Sequence, residues 1–380
     1  MALRIAGWAF VVFVATMGID HPGPPLPGHA AWADLAMLVA LLAFVVALVR
    51  GQVRLGWERS PRVLIVLGAA WLGWLAIATF ASHARPWKLA GAIELACVAV
   101  IAAQLARAGW RDRLVRAWIL GAAGLCVLGL AGAALAVAGV PTLLQGDPAG
   151  GNLGVAFRPA GLCVTTNYLA ELCLAPLCAL SLDGERLFSR RVRASLLVLL
   201  GVTLLLTLSR TLLALGVAGL IAWALRGGVS RRQLAACGVL LLAVVALASL
   251  RLHVRHDAAG WRLGTTPGIR WRVMASAWET ARAHPLVGVG PDRLPASAAW
   301  ESGGEPTSWS AHDTPLDVAA TAGWPALLVL VALIAVALRR ARRSSPLELA
   351  LFAAALATLF DALSVDAERF RHVWLLFGLI

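Results

Sequence analysis

Apolar residues in this chain come in long blocks instead of alternating, and the blocks recur along most of its length. A helical crossing of a bilayer takes roughly 17 to 25 mostly apolar residues. Blocks of about that size lie near 3–18, 31–49, 62–82, 88–106, 117–139, 165–182, 233–250, 314–338 and 346–365. The stretch 194–225 is broken once, at Ser209, Arg210 and Thr211. Its two halves of about 15 residues predict a pair of short helices of roughly 22 Å, thin, tilted or partly re-entrant in the bilayer. A last apolar run opens near His372, and with the sequence stopping at Ile380 it reads as a cut-off span or a helical stub.

The pattern therefore predicts an all-α polytopic membrane protein with about 11–12 transmembrane helices and one large periplasmic loop domain. The expected division is 1–250 for the first nine transmembrane helices, 251–313 for the loop domain, and 314–380 for the C-terminal transmembrane helices. Within the loop domain, Trp271, Met274, Ala275 and Trp278 recur at helical spacing, which predicts an amphipathic helix over Ile269–Ala283. Its tryptophans suit a membrane interface.

Composition places the chain outside the soluble class, with 60% hydrophobic and 14% charged residues and a mean hydropathy of +0.80. A formal charge of +13 would by itself suggest a nucleic-acid partner. The arginines instead cluster in alternate loops, at 50–59, 107–113, 186–193, 226–232 and 339–343. The positive-inside rule makes those loops cytoplasmic, so the amino terminus is inside and 140–164 and 251–313 lie outside. No nucleic-acid partner is expected. Asp20, His21 and a proline-rich stretch follow the first block where a cleavage site would need small residues, so it reads as an uncleaved span. Six cysteines lie mostly inside apolar blocks and read as packing residues.

Candidate chemistry is sparse. Arg210 interrupts about 30 otherwise apolar residues, and a charge there costs several kcal/mol unless paired. It reads either as an interfacial arginine reaching to the headgroups or as a clamp on a diphosphate. Arg270 and Arg272 open the amphipathic helix and could face lipid headgroups or a lipid-linked diphosphate. His312 ends the outer loop just before the block at 314, and histidine is the side chain best suited to take a proton near neutral pH. Arg158, Gly161 and Asn167 form a polar entry to the block at 165, where Asn167 either caps the helix or lines a site.

Acids inside the blocks, Asp34, Glu94, Glu171, Asp317 and Asp361, are expected to be structurally paired, with a proton path as the other reading. Lys88 is the only lysine, which excludes a P-loop. No D-x-D pair falls in an outer loop, and His253, His256 and Asp257 lack a ligand spacing, so no metal is expected.

Taken in order, these pieces resemble the O-antigen ligase and O-antigen polymerase superfamily of bacterial membrane glycosyltransferases. The resembling residues are Arg158, Gly161 and Asn167; the turn Ser209, Arg210, Thr211; the Arg270 helix running into H-P-L-V-G-V-G at 284–290; and H-D-T-P-L-D at 312–317 with A-G-W-P at 322–325. The family usually carries asparagine after the histidine, where this chain has Asp313, and often an aromatic where it has Pro315.

The resemblance implies an inverting, cofactor-free and metal-independent transferase in the inner membrane with its active site facing the periplasm. Its donor is a glycan on undecaprenyl diphosphate. Arg210 and Arg270, with Arg158 and Arg272, would hold the diphosphate. His312 would be the base, and Asn167, Ser209, Thr211 and Asp313 would support them. The acceptor would be lipid A core, a growing polysaccharide or a protein hydroxyl, giving ligase, polymerase and protein O-oligosaccharyltransferase outcomes. Membrane lipids complete the partners. A proton-coupled transporter using Asp317, Asp361, Glu171 and Arg210 is the rival from another class, and a non-catalytic lipid-binding subunit is a third reading.

Overall fold

The computed structural model describes residues 1–19, 32–53, 61–84, 87–138, 140, 159–163, 165–207, 209, 211–225, 252–257, 260–265, 267–291, 294, 311, 313–341, 344–363 and 370–380. Among these the protein is an all-α polytopic membrane fold. Its helices are α1 (Ala2–Thr16), α2 (Trp32–Val49), α3 (Pro61–Ala81), α4 (Trp87–Leu105), α5 (Arg111–Val137), α6 (Thr166–Leu187), α7 (Arg190–Thr207), α8 (Thr211–Leu225), α9 (Pro267–Ala283), α10 (Thr314–Arg340), α11 (Pro346–Asp361) and α12 (Arg371–Leu379). Val63–Ala81, Leu89–Ala136 and Thr314–Arg340 are long and apolar enough to cross a bilayer, and Ala2–Thr16 and Ala33–Val49 are shorter apolar helices. The 48 residues of Leu89–Ala136 would extend about 72 Å as one rod, more than twice the hydrocarbon thickness. Gly109, at φ 84° and ψ 16°, breaks that stretch into α4 and α5.

These helices follow the expected blocks closely, and the span expected at 233–250 lies outside the described residues. The paired short helices expected in 194–225 are α7 and α8, which end and begin at Thr207 and Thr211. A short antiparallel hairpin was not anticipated: β1 (Leu252–Asp257) pairs with β2 (Gly260–Thr265), Leu252 opposite Thr265. Its signal is the alternation Leu252, His253, Val254, Arg255, too short to stand out beside the long apolar blocks.

Helix α11 is the hub. It packs along both α6 and α8, and Ala350, Ala353, Ala354, Ala355 and Ala357 are all fully buried. Lipid tails are as apolar as leucine, so helices gain by approaching closely, and alanine permits that approach. At one end of α11, Ser345 caps the helix by accepting from the Glu348 N–H at 3.2 Å, while Glu348 binds Arg111 of α5 at 2.6 Å. Arg186 at the end of α6 reaches both carboxylate oxygens of Asp112 at 2.5 Å. This is the arginine-rich end of the bundle. The other end of α11 is Asp361, 13 residues from Glu348, or about 20 Å at 1.5 Å per residue.

The expected structural pairing is observed for the acids of α2 and α4. Arg371 bonds Asp34 of α2 and, at 2.9 Å, Glu94 of α4. Glu171 of α6 lies 3.6 Å from His372, both almost fully buried. Cys126, Cys163, Cys173 and Cys178 are buried packing residues, Cys97 is half-buried, and Cys237 lies outside the described residues.

Helix α10 is broken at Gly323, which adopts φ 85° and ψ 166°, two residues before Pro325. The break frees carbonyls that a continuous helix would satisfy. Each finds a partner: Ala320 O accepts from Val289 N at 3.0 Å, Thr321 O from Gly290 N at 2.9 Å, and Ala322 O from the Trp74 indole at 3.0 Å. Trp324 N donates to Pro285 O at 3.0 Å. The segment 284–290 thus docks on the kink, and the two glycine motifs that the sequence singled out are one joint. A Cβ on Gly323 would sit 1.9 Å from Leu286 O, and one on Gly288 would sit 2.3 Å from Thr321 C.

Gly323→Ala is therefore expected to lower stability by roughly 2–4 kcal/mol, combining a left-handed backbone with an overlap against main chain. Gly201→Ala, where a Cβ meets nothing within 4 Å, serves as the control. Thermal melting of detergent-purified protein checks this, and an unchanged melting point for Gly323→Ala would mean that the joint yields without strain.

Candidate functional site

Three helix ends meet at the end of the bundle away from the arginine clusters. Helix α7 stops at Thr207, whose hydroxyl accepts from Ser209 N at 3.3 Å. Ser209 Oγ and Thr211 Oγ1 bond at 3.1 Å, and Thr211 donates to Asp361 Oδ2 at 2.8 Å. Ser209, Thr211 and Asp361 are all buried, with Asp361 only 3% exposed. A buried carboxylate is tolerable only when its oxygens are engaged, and the start of α8 supplies one such donor across a gap of 150 residues.

The residue after Asp361 continues the connection. Ala362 O accepts from Thr314 N at 2.8 Å, which fastens the start of α10 to the end of α11. Asp313 is the N-cap of α10 and accepts from Leu316 N at 2.9 Å. Short acids are favoured there because the first N–H groups of a helix lack partners and the helix dipole favours negative charge. Asp317 lies one turn on, 2% exposed, and its Oδ1 accepts from Ala311 N at 3.1 Å. One hydrogen-bonded path therefore runs from Thr207 to Asp317 through residues of four helices.

Helix α9 packs against the first half of α10 through Ala277 and Ala281, in a cluster with Leu294, Ala311, Ala319 and Ala320. Its inward face is Val273, Ala277, Thr280 and Ala281. Of the expected stripe, Met274 is half-buried, Ala275 is exposed, and Trp278 is 46% exposed and edge-on to Trp324 at 5.8 Å between ring centroids, while the side chain of Trp271 lies outside the described residues. Close packing selects the small residues, and Ala275 and Trp278 are left outward.

Of the residues expected at the site, Ser209, Thr211 and Asp313 are brought together by the path through Asp361 and Ala362. Asn167 stands on the first turn of the adjoining α6, but the cap is Thr165, which accepts from Tyr168 N at 3.1 Å. Arg158, Arg210 and His312 lie outside the described residues, as do the side chains of Arg270 and Arg272, whose backbone falls near the start of α9. Sequence reasoning gave Asp361 and Asp317 a structural part by default, with a proton path or a transporter's coupling charges as the other readings, and missed that they link the site's elements. The available signal was an acid at the extreme end of an apolar block, where it can reach a neighbouring helix end. Among the described residues no three His, Cys, Asp or Glu side chains converge to hold a metal ion.

A search among curated proteins finds no match. Residues 195–331, from α7 into α10 and so including the Ser209–Thr211 turn, α9, the 284–290 joint and Asp313 to Asp317, match the family model described as O-antigen ligase. The matched stretch covers 137 of the 380 residues and is similar to the O-antigen ligase domain of the O-antigen ligase and O-antigen polymerase superfamily.

Proposed function

We propose that this membrane glycosyltransferase moves a glycan from undecaprenyl diphosphate to an acceptor hydroxyl, as an inverting, metal-independent O-antigen ligase in the bacterial inner membrane with its site facing the periplasm. The observation that carries this reading is the hydrogen-bonded path through Asp361 and Ala362, because it joins the residues flanking Arg210 to those flanking His312. Arg210 and Arg270, aided by Arg158 and Arg272, hold the diphosphate. Ser209, Thr211, Asn167, Asp313 and Asp361 support them. The match at 195–331 and the arginine-rich loops at the opposite end of the bundle support the same orientation.

The chemistry follows from those side chains. His312 takes the proton of the acceptor hydroxyl, and the oxygen attacks the anomeric carbon from the side opposite the diphosphate. The glycosidic bond breaks with inversion, and the guanidinium groups offset the charge growing on the departing oxygen. Fixing donor and acceptor at one bilayer surface lowers the entropic part of the barrier. Residues 251–313 form the outer segment between the helices of 1–250 and 314–380. So short an outer segment favours ligation to lipid A core over polymerisation or transfer to a protein hydroxyl. A transporter would instead titrate acids near the bilayer midplane, whereas Asp361 and Asp317 sit at helix ends and hold a hydroxyl and a backbone N–H.

His312→Ala and Arg210→Ala are each expected to leave the protein monodisperse and to reduce transfer from undecaprenyl-diphosphate-linked glycan by roughly 10²–10⁴-fold in chelator-treated buffer. Mass spectrometry of the product scores transfer and identifies the acceptor, and full transfer by both variants would overturn the mechanism. Asp361→Ala removes the acceptor for Thr211 and is expected to reduce transfer of order 10-fold or more, with Asp361→Asn falling less. Equal, wild-type rates for the two would remove Asp361 from the site.

A further inference from the structure

We propose that Asp317 is the positioning residue for the base, holding the residue that precedes His312 through the backbone N–H of Ala311; this rests on the reading of His312 given above. Ala311 and Asp313 flank residue 312 just before α10. On the downstream side the chain is fixed twice: Asp313 caps the helix, and Thr314 N donates to Ala362 O. Upstream of residue 312, the Asp317 carboxylate provides the anchor, reaching back six positions to Ala311 N at 3.1 Å.

Ala311 is fully buried among Ala277, Ala281, Ala319 and Ala320. Its N–H therefore has little access to water, and an unsatisfied donor there would be unfavourable. A charged acceptor makes the stronger bond, and Asp317 lies in the first turn of α10, where the dipole favours an anion. Asp317 is itself held: its N–H donates to Asp313 O at 2.9 Å, and its carbonyl accepts from Thr321 Oγ1 at 2.6 Å. Thr321 also belongs to the kink on which 284–290 docks, so the anchor and the α10 joint are built on the same turn. A base displaced by about 1 Å loses of order 10²-fold in rate.

The test compares Asp317→Leu with Asp317→Asn in the full chain. Leucine fills the same space without an acceptor; asparagine keeps the oxygen and gives up the charge. Turnover of undecaprenyl-diphosphate-linked oligosaccharide is measured per monodisperse protein. Asp317→Leu is expected to lower kcat by roughly 10- to 100-fold with KM for the donor within about twofold, and Asp317→Asn to recover turnover to within about threefold of wild type. Unchanged kcat in Asp317→Leu, a rise in KM alone, or an Asn variant as impaired as the Leu variant would each overturn the proposal. So would a Leu variant that fails to accumulate, because Asp317 would then serve folding and not placement. Wild-type turnover by His312→Ala in the same assay would refute the reading of the base and is scored separately.

Discussion

Inside a bilayer a polar group has no water to fall back on, so each one carried below the surface must meet its partner within the protein. Most of what distinguishes this fold from a generic bundle follows from that requirement. The broken α10 hands its carbonyls to Val289, Gly290 and Trp74. Asp361 takes the Thr211 hydroxyl, Asp317 the Ala311 amide, and Arg371 two carboxylates from helices far away in sequence. Alanine-rich α11 sits at the centre because it lets its neighbours come close enough for these bonds to form.

The bonds also divide the bundle into two ends of different character. Around Arg111, Glu348, Arg186 and Asp112 the pairs sit in the arginine-rich loops, with Arg186 half-exposed. The exposed Arg186–Asp112 pair contributes little to stability, Glu348 is buried beside Arg111, and the arginines' sign serves mainly to orient the chain in the membrane. At the other end the polar groups are buried and join helix termini from separate parts of the chain. An arrangement of that kind fixes geometry more than it adds stability, which is what a site assembled from distant segments needs.

Much of this was legible from the order of residues. Long apolar blocks specify membrane helices directly, because length and hydropathy are local properties. The Ser209–Thr211 turn, the start of α9 and the glycine motifs at 284–290 and 322–325 were likewise visible as interruptions in local pattern. Which interruptions meet was not visible, since it depends on how helices cross. The joint between Leu286 and Gly323, and the reach of Thr211 to Asp361, span sequence separations that no local period encodes. The inward face of α9 was hidden for a different reason. Periodicity weights tryptophan and methionine, whereas a helix pressed closely against another buries valine, threonine and alanine.

The Arg371 fork has a consequence for how the chain is made. Its two acids precede it by 337 and 277 residues, which at ordinary synthesis rates is roughly 15–70 s of elongation. Asp34 and Glu94 thus reach the bilayer well before their counter-ion exists. Through that interval they must remain near the headgroups or borrow a temporary partner. Arrival of α12 then supplies the guanidinium that ties α2 and α4 together.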